Sequence, residues 1–262
     1  MDCAICHDDM APIFSMVLLR RHTVQFYSCQ SCGLLRSEAP YWLDEAYSEA
    51  IASTDTGLVA RNIENSKFLS IFLELWFQGR GLYIDVAGGY GLLTRLMRDK
   101  GFDFLSIDRY CKPLFAPKDI RAGPVVAQCL LAFEVIEHLA DPVGFLAEHF
   151  ERYSCRTILF STQTFQGLPP NPEWWYYSPE TGQHITFYQT RTLEHLARRL
   201  GCEYVQIRRN IHLITDRPLR RTLLRCIGSK LLSNLLEVYV GHRRAGKSFT
   251  WTDHLAAKRE LH

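Results

Sequence analysis

The sequence predicts an α/β fold, a Rossmann-like doubly wound sheet, with a small cysteine-bearing segment ahead of it and a helical tail behind it. Three observations carry the sheet. Gly81-Leu82-Tyr83-Ile84-Asp85-Val86 reads as a buried strand, Ala87-Gly88-Gly89-Tyr90-Gly91 as a tight turn whose glycines permit positive φ, and Leu92, Leu93, Leu96 and Met97 recur at helical spacing. A second strand, Phe102-Asp103-Phe104-Leu105-Ser106-Ile107-Asp108, ends on a carboxylate twenty residues past Gly88. Val125 to Phe133 is an almost continuous apolar run, as a parallel strand buried on both faces requires.

At 262 residues the chain can bury one sizeable core and carry a small appendage. Hydrophobic content of 47% and charged content of 22% place it with globular rather than disordered proteins. No apolar run reaches the ~18 residues of a membrane span, and the N-terminus lacks the apolar core of an export signal, so the expected setting is cytoplasmic. Nine cysteines, an odd number without an export signal, favour reduced thiols and metal binding over a disulfide framework. A net charge of +2 gives no global attraction to nucleic acid.

Residues 1–40 contain Cys3-x-x-Cys6 and Cys29-x-x-Cys32-Gly33. Two such turns present four thiolates tetrahedrally to Zn²⁺ and leave no position for water, so a structural zinc site at Cys3, Cys6, Cys29 and Cys32 is expected. A segment this small has too little core to fold without a clip of that kind. His7 could stand in for one sulfur, and four unliganded surface cysteines are the plain alternative. Residues 41–78 read as helices, first Tyr41-Trp42-Leu43 with Ala46, Tyr47, Ala50 and Ile51, then Asn65 to Phe77, with Ser53-Thr54-Asp55-Thr56-Gly57 as the loop between them.

The turn after Val86 is the site on which function rests. Backbone N–H groups at a helix start, with no side chain in the way, let a negatively charged or hydroxyl-bearing ligand approach, and Asp108 can chelate the ribose hydroxyls of an adenosine cofactor. A dinucleotide fingerprint read from Gly89 needs Gly or Ala at its sixth position, where Thr94 stands, so a nicotinamide site fits poorly. The stretch Asp85-Val86-Ala87-Gly88-Gly89-Tyr90-Gly91 instead resembles the D-x-G-x-G-x-G motif of class I S-adenosylmethionine-dependent methyltransferases. Ala87 departs from it, standing where the first glycine usually is. A methyl there is tolerated if φ is negative, with Gly88 taking up strain. The resemblance implies S-adenosylmethionine as cofactor, contacted by Asp85, Ala87, Gly88, Gly89, Tyr90, Gly91, Asp108, Arg109 and Glu134. Asp85 would orient the turn and the methionine moiety, and Arg61 is a candidate cation for the methionine carboxylate or else an exposed arginine.

Past Asp108 the turn-prone Lys112 to Pro117 and Ala122-Gly123-Pro124 hide a third strand. After the fourth comes Glu134-Val135-Ile136-Glu137-His138-Leu139-Ala140-Asp141-Pro142. It resembles the E-V-x-E-H-x-x-D-P stretch of small-molecule methyltransferases, including the ubiquinone-pathway O-methyltransferases, where the corresponding Glu, Glu and His resemble a divalent-metal cluster. Ligands sit beyond the carboxyl ends of such strands, so His138 and Glu137 are candidates to take a proton from the methyl acceptor. Alternatively the carboxylates cap a helix start and His138 bonds a loop. The fifth strand, Thr157 to Thr162, leads into an insert with Trp174-Trp175-Tyr176-Tyr177, read as a lid over an acceptor or as core packing. Gly182 to Tyr188 resembles the element after the fifth strand in methyltransferases of glycan and secondary-metabolite pathways, which makes His184 a second candidate base or a structural loop histidine.

An amphipathic helix, Thr192 to Leu200, and closing strands Glu203 to Ile207 and Ile211 to Ile214 complete a seven-stranded sheet with an antiparallel edge. The tail from Arg217 reads as a helix with a leucine stripe and a basic face, docked or offering a surface to an anionic substrate. Gly241 to Ser248 lacks the spacing of a P-loop. The chain thus divides into a zinc-binding segment (1–40), a helical cap or linker (41–78), a methyltransferase domain (79–216) and a helical extension (217–262). The expected partner is a small molecule or a sugar or glycan precursor, with no membrane span and no nucleic acid. The competing readings are a zinc-bearing adaptor without catalysis and an NAD-dependent oxidoreductase.

Overall fold

A computed structural model describes residues 1–47, 55–110, 112–116 and 124–259. In chain order the elements are β1 (Met10–Leu18), β2 (His22–Cys29), β3 (Leu35–Ser37), α1 (Leu43–Ala46), α2 (Leu58–Phe77), β4 (Leu82–Val86), α3 (Leu92–Asp99), β5 (Asp103–Ile107), β6 (Cys129–Ala132), α4 (Pro142–Arg152), β7 (Thr157–Ser161), β8 (Thr164–Phe165), β9 (Thr186–Gln189), α5 (Thr190–Arg199), β10 (Glu203–Arg208), β11 (Ile211–Thr215), α6 (Arg221–Gly228), α7 (Lys230–Arg244) and α8 (Thr250–Arg259). They fall into two units. The first joins Met1–Ala52 to Ala132–Arg152 and Arg156–Pro218, and the second joins Ser53–Leu131 to Tyr153–Cys155 and Leu219–His262.

In the second unit the parallel strands run in the order β6-β4-β5, with Asp85 opposite Ser106 on β5 and Leu131 on β6. All five residues of β4 are buried, as the apolar run predicts. β6 is shorter than the predicted Val125 to Phe133, because Val126 is 60% exposed and pairing begins at Cys129. α2 buries Phe68, Phe72, Trp76 and Phe77, and Phe72 stacks on Trp76 with ring centroids 5.9 Å apart. Each such ring contributes roughly 2–3 kcal/mol on burial. The helix ends where Gln78 turns left-handed (φ 57°) and Gly79 N–H returns to Leu73 O at 3.0 Å.

The tail is three helices rather than one, since Ser229 is extended (φ −69°, ψ 119°) between α6 and α7. Its far end is clamped by ions. Arg244 donates to Gly79 O at 2.9 Å and Gly101 O at 2.8 Å while lying 3.9 Å over the Phe102 ring. Arg98 grips Asp253 at 2.6 and 2.7 Å. Buried pairs of this kind fix register more than they add stability.

The first unit contains two sheets. In one, β11 lies antiparallel between β10 and β7. The sequence predicts an antiparallel edge, but the antiparallel strand sits inside. Ile-His-Leu-Ile-Thr of β11 is buried throughout, whereas β10 is half exposed, so the more apolar arm of the hairpin takes the inner place. With β6-β4-β5, these strands make six among the described residues rather than the predicted seven. The stretch where a third strand would follow Asp108 includes residues 111 and 117–123, which lie outside the described residues.

The other sheet has the order β1-β2-β3-β9-β8, so the cysteine segment shares a sheet with the insert that follows β7. Its core gathers Val24, Phe26, Leu35, Trp42, Tyr177 and Phe187. Trp42 is buried and donates its indole N–H to Gly182 O at 2.8 Å. The helix predicted around it is a single turn, α1, and its further members Ala50 and Ile51, with Ser53 and Thr54 of the loop, lie outside the described residues.

Candidate functional site

In the second unit the chain leaves β4 through Asp85, which is 3% exposed. Burial pushes its carboxyl up to about 7, the Thr94 hydroxyl at 3.4 Å opposing and the charge of Asp108 adding to the rise. Ala87 then takes a left-handed φ of 57°. The negative φ under which a methyl is readily tolerated is not what Ala87 adopts, and Gly88 does not take up the strain with a left-handed φ of its own. The alanine itself adopts the conformation that glycine would hold more cheaply.

Gly88 is needed for space instead: a Cβ would lie 2.4 Å from Ser106 Oγ and 2.5 Å from Asp85 Oδ2. Gly89 (φ 56°) has nothing within 4 Å of a Cβ, and Gly91 (φ 80°) caps α3. Asp108 fastens the turn to the tip of β5, its Oδ2 accepting the Gly89 N–H at 2.9 Å and its Oδ1 the Tyr110 N–H at 2.7 Å. The Tyr90 carbonyl accepts from Leu114 and Phe115, and Arg109 is exposed beside the Tyr110 ring. Arg61 pairs with Asp55 at 2.7 Å. The structure therefore brings Asp85, the glycine turn and Asp108 together.

In the first unit a second cluster forms at a 3₁₀ turn, Ile136–His138. Glu134 is left-handed (φ 55°) and caps no helix. Its N–H donates to Ser161 Oγ at 2.8 Å, and the Ser161 hydroxyl donates back to Glu134 Oε1 at 2.6 Å. Glu137 is fully buried; Tyr176 donates its hydroxyl to Oε1 at 2.8 Å, and Oε2 has no partner among the described residues. Burial pushes Glu137 up to about 7, the charge of Glu134 adding and that of His184 opposing.

His138 Nδ1 lies 3.0 Å from Gln183 O, and His184 Nδ1 lies 2.6 Å from Tyr176 O. A carbonyl oxygen only accepts, so each Nδ1 carries the proton and each Nε2 keeps its lone pair. Burial lowers the pKa of both rings, which stand edge to face with centroids 4.9 Å apart. One ligand atom from each of Glu137, His138 and His184 lies within 4.8 Å of the others. Sequence reasoning missed Tyr176, which holds Glu137 through its hydroxyl and His184 through its carbonyl. Nothing in its neighbours distinguishes it within the aromatic run. Of the four aromatics only Trp175, at 70%, is exposed; Trp174 and Tyr177 join the packing around Phe187.

The four cysteines also come together. Cys3 and Cys32 sulfurs are 3.5 Å apart, Cys6 and Cys29 3.4 Å, and all four lie within 4.8 Å. The thiols hold one another: Cys3 is lowered to about 5, chiefly by Cys32, while burial pushes Cys6 up to about 11. His7 is exposed and outside the group. Gly33 is left-handed (φ 80°), the conformation that favours glycine, and a Cβ there would meet the Gln189 and Arg191 side chains at 2.7 Å. From α5, Thr192 donates to Cys32 O and Arg199 to Ile5 O, so this helix braces both cysteine turns.

Residues 60–207, more than half of the chain, match the family described as "Methyltransferase domain". The chain belongs to this family. It is an S-adenosylmethionine-dependent methyltransferase, in agreement with the motif at Asp85 to Gly91.

No curated protein sequence matches the chain. Among solved structures it is similar to the 1,6-didemethyltoxoflavin-N1-methyltransferase of Burkholderia thailandensis, bound to 1,6-didemethyltoxoflavin and S-adenosylhomocysteine. That likeness has 15% identity and a TM-score of 0.47, covering 78% of this chain and 99% of that one. It is also similar to the pyocyanin biosynthetic protein PhzM (18% identity, TM-score 0.42, 64% of this chain and 60% of that one). A third likeness is to magnesium protoporphyrin IX methyltransferase of Synechocystis PCC 6803 with S-adenosylhomocysteine (9% identity, TM-score 0.37, 67% and 94%). Among the described residues no helix is long and apolar enough to cross a membrane.

Proposed function

We propose that the chain methylates a small molecule or a sugar or glycan precursor on oxygen, nitrogen or carbon, using Asp85 to Gly91 and Asp108 to hold S-adenosylmethionine. The observation that supports this best is the bond from Gly89 N–H to Asp108 Oδ2, which ties a turn nearly free of side chains to an acid placed for ribose hydroxyls. Bound there, S-adenosylmethionine supplies a methyl group already activated by its sulfonium. The chain then has to align the acceptor, exclude water and remove one proton. His138 and His184 suit the last task, because each is neutral at neutral pH and each offers Nε2 to a proton. Glu137 stabilises the charge that then develops, and Tyr176 keeps its carboxylate in place.

A second reading of the same cluster is a divalent ion held by Glu137, His138 and His184. The unpartnered Glu137 Oε2 favours it, as do two histidines whose Nδ1 protons are committed to carbonyls, the usual outer support of metal-bound imidazole. The four cysteines fit Zn²⁺, and the ion would brace the N-terminal strands without a free position for chemistry. Titrating the protein with S-adenosylhomocysteine and with NADH, then assaying His138→Ala and His184→Ala with acceptor mixtures, tests the proposal. Binding of NADH in place of S-adenosylhomocysteine would favour an oxidoreductase, and tight protein partners with no turnover an adaptor.

A further inference from the structure

α7 has its apolar side toward water. Leu231 is 92% exposed, Leu235 71% and Val238 62%, and at spacings of four and three residues they form one stripe, flanked by the half-exposed Leu232 and Tyr239. Val240, on the opposite side, is the buried one. A docked surface helix normally shows water its polar face, and an apolar patch on the order of a few hundred Å² marks a contact surface.

Charge says what covers it. Between Leu219 and Leu236 the chain has Arg220, Arg221, Arg225 and Lys230 and no acid. All four cations are exposed and form no ion pair among the described residues. A second copy is a poor match. α7 has Lys230 at its start, His242 and Arg243 at its end, and Glu237 as its one acid. Laid against itself in either direction, the helix sets cation on cation.

We propose that α6 and α7 of the second unit form a docking face for the anionic surface of a lipid bilayer, with Leu231, Leu235 and Val238 entering the headgroup boundary and Arg220, Arg221, Arg225 and Lys230 meeting anionic headgroups. Exposed leucines on α7, with Lys230 at its start and exposed arginines on the preceding α6, are the composition of in-plane membrane binding, and no spanning helix is needed. This inference does not depend on which acceptor is methylated.

The test is vesicle flotation of the full chain with phosphatidylcholine alone and with phosphatidylcholine plus phosphatidylserine, at low and high salt. The wild-type protein should float with the anionic vesicles only, and salt should release it. R220Q/R221Q should weaken binding about 30-fold, about 5-fold for each cation removed. L231E/L235E should abolish it while circular dichroism and S-adenosylhomocysteine binding stay unchanged, because both leucines are exposed. Equal binding to neutral vesicles, or no effect of the leucine variant, overturns the proposal. So does a dimer in solution that L231E/L235E dissociates in the absence of any vesicle binding.

Discussion

Replacing Gly88 with alanine tests the geometry of the cofactor turn most sharply. The new Cβ would sit 2.4 Å from Ser106 Oγ and 2.5 Å from Asp85 Oδ2, and Asp85 and Ser106 face each other across paired strands β4 and β5. Both neighbours are side-chain atoms in packed surroundings, so relief requires a changed rotamer of Ser106 or Asp85. Overpacking of this kind costs about 1–3 kcal/mol. At roughly 2–4 °C per kcal/mol in a chain of this size, the melting temperature should fall by several degrees. Affinity for S-adenosylhomocysteine should fall at least about tenfold, since a shift of the turn costs about 1.4 kcal/mol or more. Ser106 Oγ is buried without a partner among the described residues, so Ser106→Ala alone should be nearly neutral. It removes one of the two overlaps. The double variant should therefore be more stable than the two single effects predict, by about 1 kcal/mol in a double-mutant cycle read by thermal melts. A Gly88→Ala protein that melts and binds like wild type, or strict additivity with Ser106→Ala, would refute the reasoning.

Ala87→Gly should raise stability by about 0.5–1 kcal/mol, the relief of a left-handed alanine less the added freedom of the unfolded glycine, whereas Ala87→Val should lower both stability and S-adenosylhomocysteine affinity in the same melts and titrations. Folding raises the Asp85 carboxyl from 3.8 to about 7, so it binds a proton that the unfolded chain releases, and this contribution to stability is present below pH 3.8 and lost as pH rises to about 7. Denaturant unfolding of Asp85→Asn across that window should decline less with pH than wild type, by up to about 4 kcal/mol. Metal analysis should find one Zn²⁺ retained by wild type and lost in Cys32→Ser with loss of cooperative melting, and any second divalent ion should disappear in Glu137→Gln with the zinc intact.

What the sequence disclosed was mostly local. Strand β4, the turn, the acid at the end of β5 and the two cysteine pairs each depend on residues adjacent in the chain, and the structure places each of those groups together. The conformation of Ala87 was not legible, because a motif gives residue types and not the φ that β4 and α3 impose between them. The inner position of β11 depends on which arm of a hairpin is the more deeply buried, a comparison that becomes decisive only in the packed sheet. Tyr176 reaches Glu137 across 39 positions and His184 across eight, so no spacing rule could have joined them. Glu134 reads in sequence as a cofactor contact or, alternatively, a helix cap, and its backbone N–H and carboxylate bond Ser161, 27 residues on, a pairing no local motif announces.

Calorimetric titration of the zinc-loaded full chain with S-adenosylhomocysteine, beside its Asp108→Ala variant, addresses the central claim. One-site binding by the wild type, weakened at least about tenfold in the variant and absent for NADH, is the expected result. A chain that is folded and metal-loaded but takes up neither the methyl donor nor its demethylated product would contradict the account.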